Sequence, residues 1–166
     1  FYNHFGIDLL ATLRALITNM KNIGTAKRLI GASTITQQVA KNFLLSSEVS
    51  YERKIKEAIL AIRIERAFSK NDILELYLNE IYLGFKSYGV AAAALNYFDK
   101  SLDNLDLSEA AFLAALPKAP NNYNPILRKE QAVTRRNWVL SQMSKNGFIK
   151  DDTREIESKK SINIRK

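Results

Sequence analysis

The chain has 166 residues, 46% of them hydrophobic and 25% charged, enough for one domain with a real core. It contains no cysteine, which excludes a disulfide framework and any thiolate metal site. Lys and Arg outnumber Asp and Glu by 25 to 17, so the net charge of +8 favours anionic partners: nucleic acid, anionic lipid or a phosphorylated substrate.

Asp8 caps a helix expected to run to about Lys21, with Leu9, Leu10, Leu13, Leu16, Ile17 and Met20 at helical spacing. Residues 22–30 read as a loop. Ser33 is the expected N-cap of a helix through about Leu44, and residues 46–50 read as a loop. Ser50 caps a long helix to about Phe68, with Ile55, Ala58, Ile59 and Ile62 as its apolar stripe. Ser69 and Asp72 form a capping box for a helix carrying Ile73, Leu74, Tyr77, Leu78, Ile81 and Tyr82, with Gly84 expected as its C-cap. Residues 88–98 are alanine-rich and suit a tightly packed buried helix. Asp106 and Glu109 make a second capping box, whose helix stops at Pro117. Residues 117–125 hold all three prolines and read as an ordered loop. Residues 128–146 are helical, with Ala132, Val133, Leu140 and Met143 inward and Gly147 as the stop. Residues 151–166 are charged and weakly helical, a tail or linker.

No segment sustains period-2 alternation, so the fold class is all-α. No run of 18 apolar residues exists to form a transmembrane helix, and no signal peptide is visible. The chain opens on Phe1 without an initiator Met, and is expected to be a piece of something longer.

Chemistry concentrates in residues 31–57. A Gly31-Ala32-Ser33-Thr34 turn leads into Thr36-Gln37-Gln38. Lys41 follows, and then Arg53-Lys54-Ile55-Lys56-Glu57 near a helix start. Cations in a first helical turn oppose the macrodipole by roughly 0.3–1 kcal/mol each, so three of them in four residues mark either a site or a solvated helix start with internal ion pairs. Residues 21–70 hold ten Lys and Arg against four Glu, which is +6 of the +8. Hydroxyls, amides and cations with one acid suit an oxyanion or diphosphate. No Walker-type loop is present. Glutamates break up the basic residues, and no helix-turn-helix pattern marks a nucleic-acid binder.

Five motifs in order give the chain a family resemblance: Phe1-Tyr2-Asn3-His4-Phe5-Gly6; residues 31–38; Arg53-Lys54-Ile55-Lys56-Glu57; residues 73–84; and Arg135-Arg136-Asn137-Trp138-Val139-Leu140. Residues 1 to about 150 resemble the peptidoglycan glycosyltransferase domain of class A penicillin-binding proteins, a lysozyme-like glycosyltransferase fold. The resemblance implies polymerisation of lipid II, with inverting transfer of a lipid-diphosphate-linked glycan to the 4-hydroxyl of the acceptor. It makes Glu57 catalytic near the donor diphosphate, directly or through a divalent metal (Mg or Mn), with no organic cofactor. Ser33, Thr34, Gln37, Gln38, Lys41, Arg53, Lys54, Asn79 and Arg135 become substrate-binding residues. Implied partners are lipid II, the growing glycan strand, the bacterial membrane surface and moenomycin-type inhibitors, and no nucleic acid. The implied location is the outer face of the bacterial cytoplasmic membrane. Residues 151–166 would lead toward any transpeptidase domain that follows.

The family's first motif carries a Glu-Asp pair that should lie just before Phe1 and is not in the sequence. The expectation is therefore that these residues alone lack the principal general base and do not turn over. Each site residue also has a plainer role open to it. His4 suits a structural hydrogen bonder. Gln37 and Gln38 suit helix caps, and Asn79 a polar anchor between helices. Arg135 and Arg136 suit a surface pair. A lysozyme-like hydrolase would need two carboxylates across a cleft and leaves the cations unexplained. A basic anion-binding or nucleic-acid-binding module would show salt-sensitive duplex binding.

Overall fold

The computed structural model describes residues 1–25, 30–44 and 50–165. Eight α-helices and three short 3-10 turns are found there, with no strand among the described residues. The chain divides into two compact units, Phe1–Leu78 and Asn79–Lys166.

The first unit holds α1 (Leu9–Lys21), α2 (Ile35–Leu44), α3 (Tyr51–Ala67) and most of α4 (Lys70–Glu80). Asp8 caps α1, its carboxylate accepting from the Ala11 N–H at 2.8 Å. Ser50 caps α3 by accepting from the Arg53 N–H at 3.1 Å. Ser69 and Asp72 exchange side-chain and backbone bonds at the start of α4. Each of these caps satisfies orphan donors of a first turn.

The N-cap of α2 is Thr34 rather than the expected Ser33. Thr34 Oγ1 accepts from the Gln37 N–H at 3.2 Å, and Gln37 Oε1 accepts from the Thr34 N–H at 2.9 Å, a reciprocal capping box. That frees Ser33 for another contact. The loop expected over residues 46–50 lies outside the described residues apart from Ser50.

α2 packs on α3, and the buried face of α3 is not the expected aliphatic stripe. Ile55 is 62% exposed and Ile59 is also exposed, whereas Glu57 and Ala61 are buried. The inward row is Glu57, Ala61 and Glu65, at i, i+4 and i+8, because both carboxylates find cations or hydroxyls there. α1 also carries its apolar residues outward: only Ala15 is buried, and Leu9 is 76% exposed.

The second unit begins at the end of α4. Glu80 ends that helix, and Tyr82 and Tyr88 pair as an isolated bridge across a tight turn. Gly84 is therefore not the C-cap of α4 but a turn residue at φ 82°, followed by Phe85 and Lys86 also at positive φ. A Cβ on Gly84 would stand 2.8 Å from the Tyr97 hydroxyl, which donates to the Leu83 carbonyl.

Next come α5 (Val90–Phe98), α6 (Leu107–Ala115), α7 (Lys129–Lys145) and α8 (Asp151–Lys159). Pro117 and Pro120 sit in two 3-10 turns, Leu116–Lys118 and Pro120–Tyr123, and Pro125 in the turn that follows. Asp106 and Glu109 complete the expected capping box of α6. Tyr97, Phe98 and Phe112 stack edge to face and tilted, with centroids 5.5–6.2 Å apart, and Leu113, Leu116 and Leu140 fill around them. Burial and the nearby Tyr82 push the Tyr97 phenol up to about 12.

Residues 151–165 are not a loose tail. α8 packs on α7 and α6, Ile162 is buried, and the Arg165 N–H donates to the Tyr97 carbonyl at 2.8 Å. The anchor is Arg136 of α7, fully buried. Its Nη1 donates to Ser108 Oγ and the Lys160 carbonyl, and its Nη2 to the Ser158 carbonyl, all within 2.9 Å.

Candidate functional site

Glu57 is the centre of the first unit's polar cluster, at 1% exposure. Arg53 Nη1 donates to its Oε2 at 3.1 Å, and the Lys54 ammonium contacts its Oε1. Helical geometry makes this possible: residues three and four before a carboxylate share its face. Lys54 also donates to Ser33 Oγ at 2.9 Å, tying α3 to the turn before α2. One carboxylate thus holds two cations side by side, leaving a net positive charge beside a hydroxyl. That arrangement can receive an anion with two charged oxygens.

Ser33, Gln37 and Lys54 line a pocket of about 450 Å3 in the first unit. Its floor is apolar, with Ile7, Ala15, Leu16 and Ala58. Gly31, Ala32, Ser33 and Gln37 thus share this cavity with Lys54. One ammonium, that of Lys54, beside the Ser33 hydroxyl over an apolar floor is chemically suited to an anionic headgroup joined to a hydrocarbon.

The other site residues named from the sequence are distributed as follows. Thr34 is buried and structural, its Oγ1 donating to the Gly6 carbonyl at 2.6 Å. The carbonyl oxygen of Gln37 is committed to the capping box. Gln38 is half-buried, and Lys41 is exposed in the last turn of α2, outside the ion pairs at Glu57. Asn79 and Arg135 belong to the second unit, where Asn79 is exposed and Arg135 lies over the Trp138 ring at 4.0 Å.

A second cluster escaped the sequence reading. Glu65 Oε1 accepts from Thr36 Oγ1 at 2.6 Å and from Lys70 Nζ at 2.7 Å, and Lys70 also donates to the His4 carbonyl at 2.6 Å. Lys70 sits 4.6 Å over the Phe1 ring. Gly6, at φ 81°, presses on the Ala61 backbone, where a Cβ would stand 2.9 Å away. These contacts clamp residues 1–6 onto α3 and the start of α4. The signal was present in the spacing, since Glu65 lies two turns beyond Glu57 on one face.

His4 has a buried Nδ1 with no hydrogen-bond partner among the described residues. Burial first, and then the Lys70 ammonium, hold its imidazole below the ordinary 6.5. It is the only histidine, so its proton NMR titration is unambiguous. We expect a midpoint below 6.5, moved upward by Lys70→Gln but not fully restored, because burial remains. A depressed folded-state value means the unfolded chain takes the proton first, so stability falls as pH drops from 6.5 through the folded midpoint. A midpoint at or above 6.5 would show that Lys70 does not act on the ring.

Glu57 is also the carboxylate to which the resemblance would give a Mg or Mn ion. Both of its oxygens already accept from cations, and the described residues contain no group of three His, Cys, Asp or Glu side chains able to hold one. A dication would have to enter beside Arg53 and Lys54 against like charge. The donor set as arranged does not fit a divalent ion.

The comparisons agree on one lineage. The family model described as Transglycosylase matches residues 1–144. Penicillin-binding protein 1A of Rickettsia felis is 52% identical over 166 residues, all of this chain and 21% of that protein. The Aquifex aeolicus protein of the same name is 53% identical over 167 residues, again all of this chain and 22% of its own length. The crystal structure of penicillin-binding protein 1A from Haemophilus influenzae superposes with a TM-score of 0.55 at 37% identity, over 79% of this chain and 16% of that one. The chain spans about a fifth of the length of the curated relatives it matches. The fold is all-α and lysozyme-like, and the chain belongs to the transglycosylase family.

Proposed function

We propose that this chain serves the polymerisation of peptidoglycan glycan strands from lipid II, with the first unit binding the lipid-diphosphate donor. The carrying observation is the Arg53–Glu57–Lys54 cluster, whose Lys54 lines an apolar-floored pocket. The diphosphate would replace water at Arg53 and Lys54, with Ser33 as a further donor and the first lipid units on Ile7 and Leu16.

The chemistry is a displacement. The acceptor 4-oxygen forms a bond to the donor's anomeric carbon from the face opposite the diphosphate. The anomeric C–O bond breaks, and the lipid diphosphate leaves with the electron pair. The acceptor proton passes to a general base, which the family resemblance places just upstream of Phe1. Arg53 and Lys54 neutralise the charge that grows on the leaving oxygen. Glu57 keeps the two cations in register. The partners under this reading are lipid II, the growing strand, moenomycin-type inhibitors and the membrane surface, at the outer face of the bacterial cytoplasmic membrane. The outward apolar residues of α1 support the membrane contact. Lys21 is exposed in the last turn of α1, and Lys27 and Arg28 lie outside the described residues.

The test uses the chain extended upstream through the Glu-Asp pair and presented with lipid II. Long glycan on a gel supports the reading, and cleavage of finished glycan without synthesis would favour the hydrolase. Arg53→Ala should weaken diphosphate-lipid binding by about 1.5–3 kcal/mol, the range for hydrogen bonds to charged groups. Unchanged affinity in a folded variant would reduce Arg53 to an intrahelical ion pair.

A further inference from the structure

The second unit contains a pocket of about 540 Å3 that the donor site does not use. Its volume lies within the ~300–1,000 Å3 usual for ligand sites. Two aromatic side chains, Tyr123 and Trp138, and three charged ones, Lys118, Glu130 and Arg135, line it. No ion pair neutralises any of the three among the described residues. Arg135 lies over the Trp138 ring, and its buried Nε has no acceptor among the described residues. Leaving such a donor unmet costs roughly 1–3 kcal/mol. Trp138 is 50% exposed, so much of the indole stays open.

The ligand chemistry follows from this lining. Broad aromatic faces flanked by the amide of Gln131 and the hydroxyl of Thr134 suit a pyranose ring, which has an apolar face and a polar rim. A neutral sugar would leave Lys118 and Arg135 without counter-charge. A carboxylate satisfies a guanidinium in bidentate fashion. A polyphosphate chain offers no pyranose face to stack on Tyr123 and Trp138. The lining therefore selects a saccharide that carries carboxylates.

We infer that this pocket holds acidic peptidoglycan, with sugar rings against Tyr123 and Trp138 and stem-peptide carboxylates on Arg135 and Lys118. The identity of the glycan rests on the polymerase reading; the class of ligand rests on the pocket alone. The pocket thereby becomes a hold on the nascent strand, adding Tyr123, Trp138 and Lys118 to the binding surface.

Trp138 is the only tryptophan, so fluorescence excited selectively at the indole reports from this pocket. The 166-residue chain is titrated with soluble glycan fragments bearing stem peptides, with chitin oligosaccharides of equal length, and with the stem peptide alone. We expect saturable change with the peptide-bearing glycan and at least about tenfold weaker binding of the other two. Tyr123→Ala and Lys118→Gln should each weaken the peptide-bearing glycan several-fold, with circular dichroism unchanged. Absence of saturable binding by fluorescence and by calorimetry overturns the inference. So does equal affinity for the neutral oligosaccharide or the free peptide, or parent-like binding by both variants. The two readings fail separately: glycan binding without product from lipid II removes the polymerase, and product without a Trp138 response removes the pocket.

Discussion

Glu57→Ala is expected to destabilise the chain by roughly 3–5 kcal/mol, the range for removing one partner of a buried ion pair. A surface pair would be worth only about 0–1 kcal/mol, so burial decides which figure applies. The Glu57 side chain is 2% exposed and that of Arg53 is 14%, which places their pair in the buried class. Lys54, at 48%, can turn to water and adds little. Alanine would take the Glu57 carboxylate away from the Arg53 guanidinium in a partly dry site. Thermal unfolding followed by circular dichroism should show a loss of several degrees or more, at about 2–4 °C per kcal/mol for a chain of this size. Glu57→Gln keeps the shape and one acceptor for Arg53 or Lys54, so it should cost clearly less. An unchanged midpoint for Glu57→Ala would mean the two cations have other partners and the cluster is not organised by this acid.

What the sequence made legible was mostly local. Asp8, Ser50, Ser69 with Asp72, and Asp106 with Glu109 all cap the helices assigned to them, because a cap is a bond between residues three apart. Thr34 displaced Ser33 by one position because either hydroxyl could serve, and the choice depended on Gln37 reaching back. The inward face of α3 was misread for a different reason. Hydrophobic periodicity assumes that aliphatics go in, and here two carboxylates go in because Arg53, Lys54, Thr36 and Lys70 meet them. Those partners lie on other segments or an adjacent helical turn, and no hydropathy pattern encodes them. Motif order identified the family. It did not say that Glu57 would already be saturated by cations, which is what turns a candidate metal ligand into a clamp. Nor did it show that Arg136, about 100° around the helix from Arg135, would be the buried anchor of residues 151–165.

Arg136→Ala is expected to release the strap formed by residues 151–165 at a cost of about 3–5 kcal/mol, the scale for truncating a large buried side chain and comparable to Glu57→Ala. The guanidinium is fully buried and donates to Ser108 Oγ, to the Ser158 and Lys160 carbonyls, and to Asn137 Oδ1. Removing it leaves acceptors from two segments without donors and opens a cavity between α7 and the strap. The remaining ties are weaker. The Arg165–Asp99 pair is exposed on both sides and is worth about 0–1 kcal/mol. Ile162 contributes roughly 1.5–3 kcal/mol by burial. Arg136→Lys should rescue little, because one ammonium cannot reach the planar spread of acceptors that a guanidinium spans. Hydrogen exchange resolves the point by residue. The Arg165 amide, bonded to the Tyr97 carbonyl, should lose protection in the variant, while amides within α6 keep theirs. Trypsin should then cut at Lys159 and Lys160 under native conditions. If the Arg165 amide stays as protected as in the parent, Ile162 and the surface pair hold the strap by themselves, and Arg136 is buried there without fastening it.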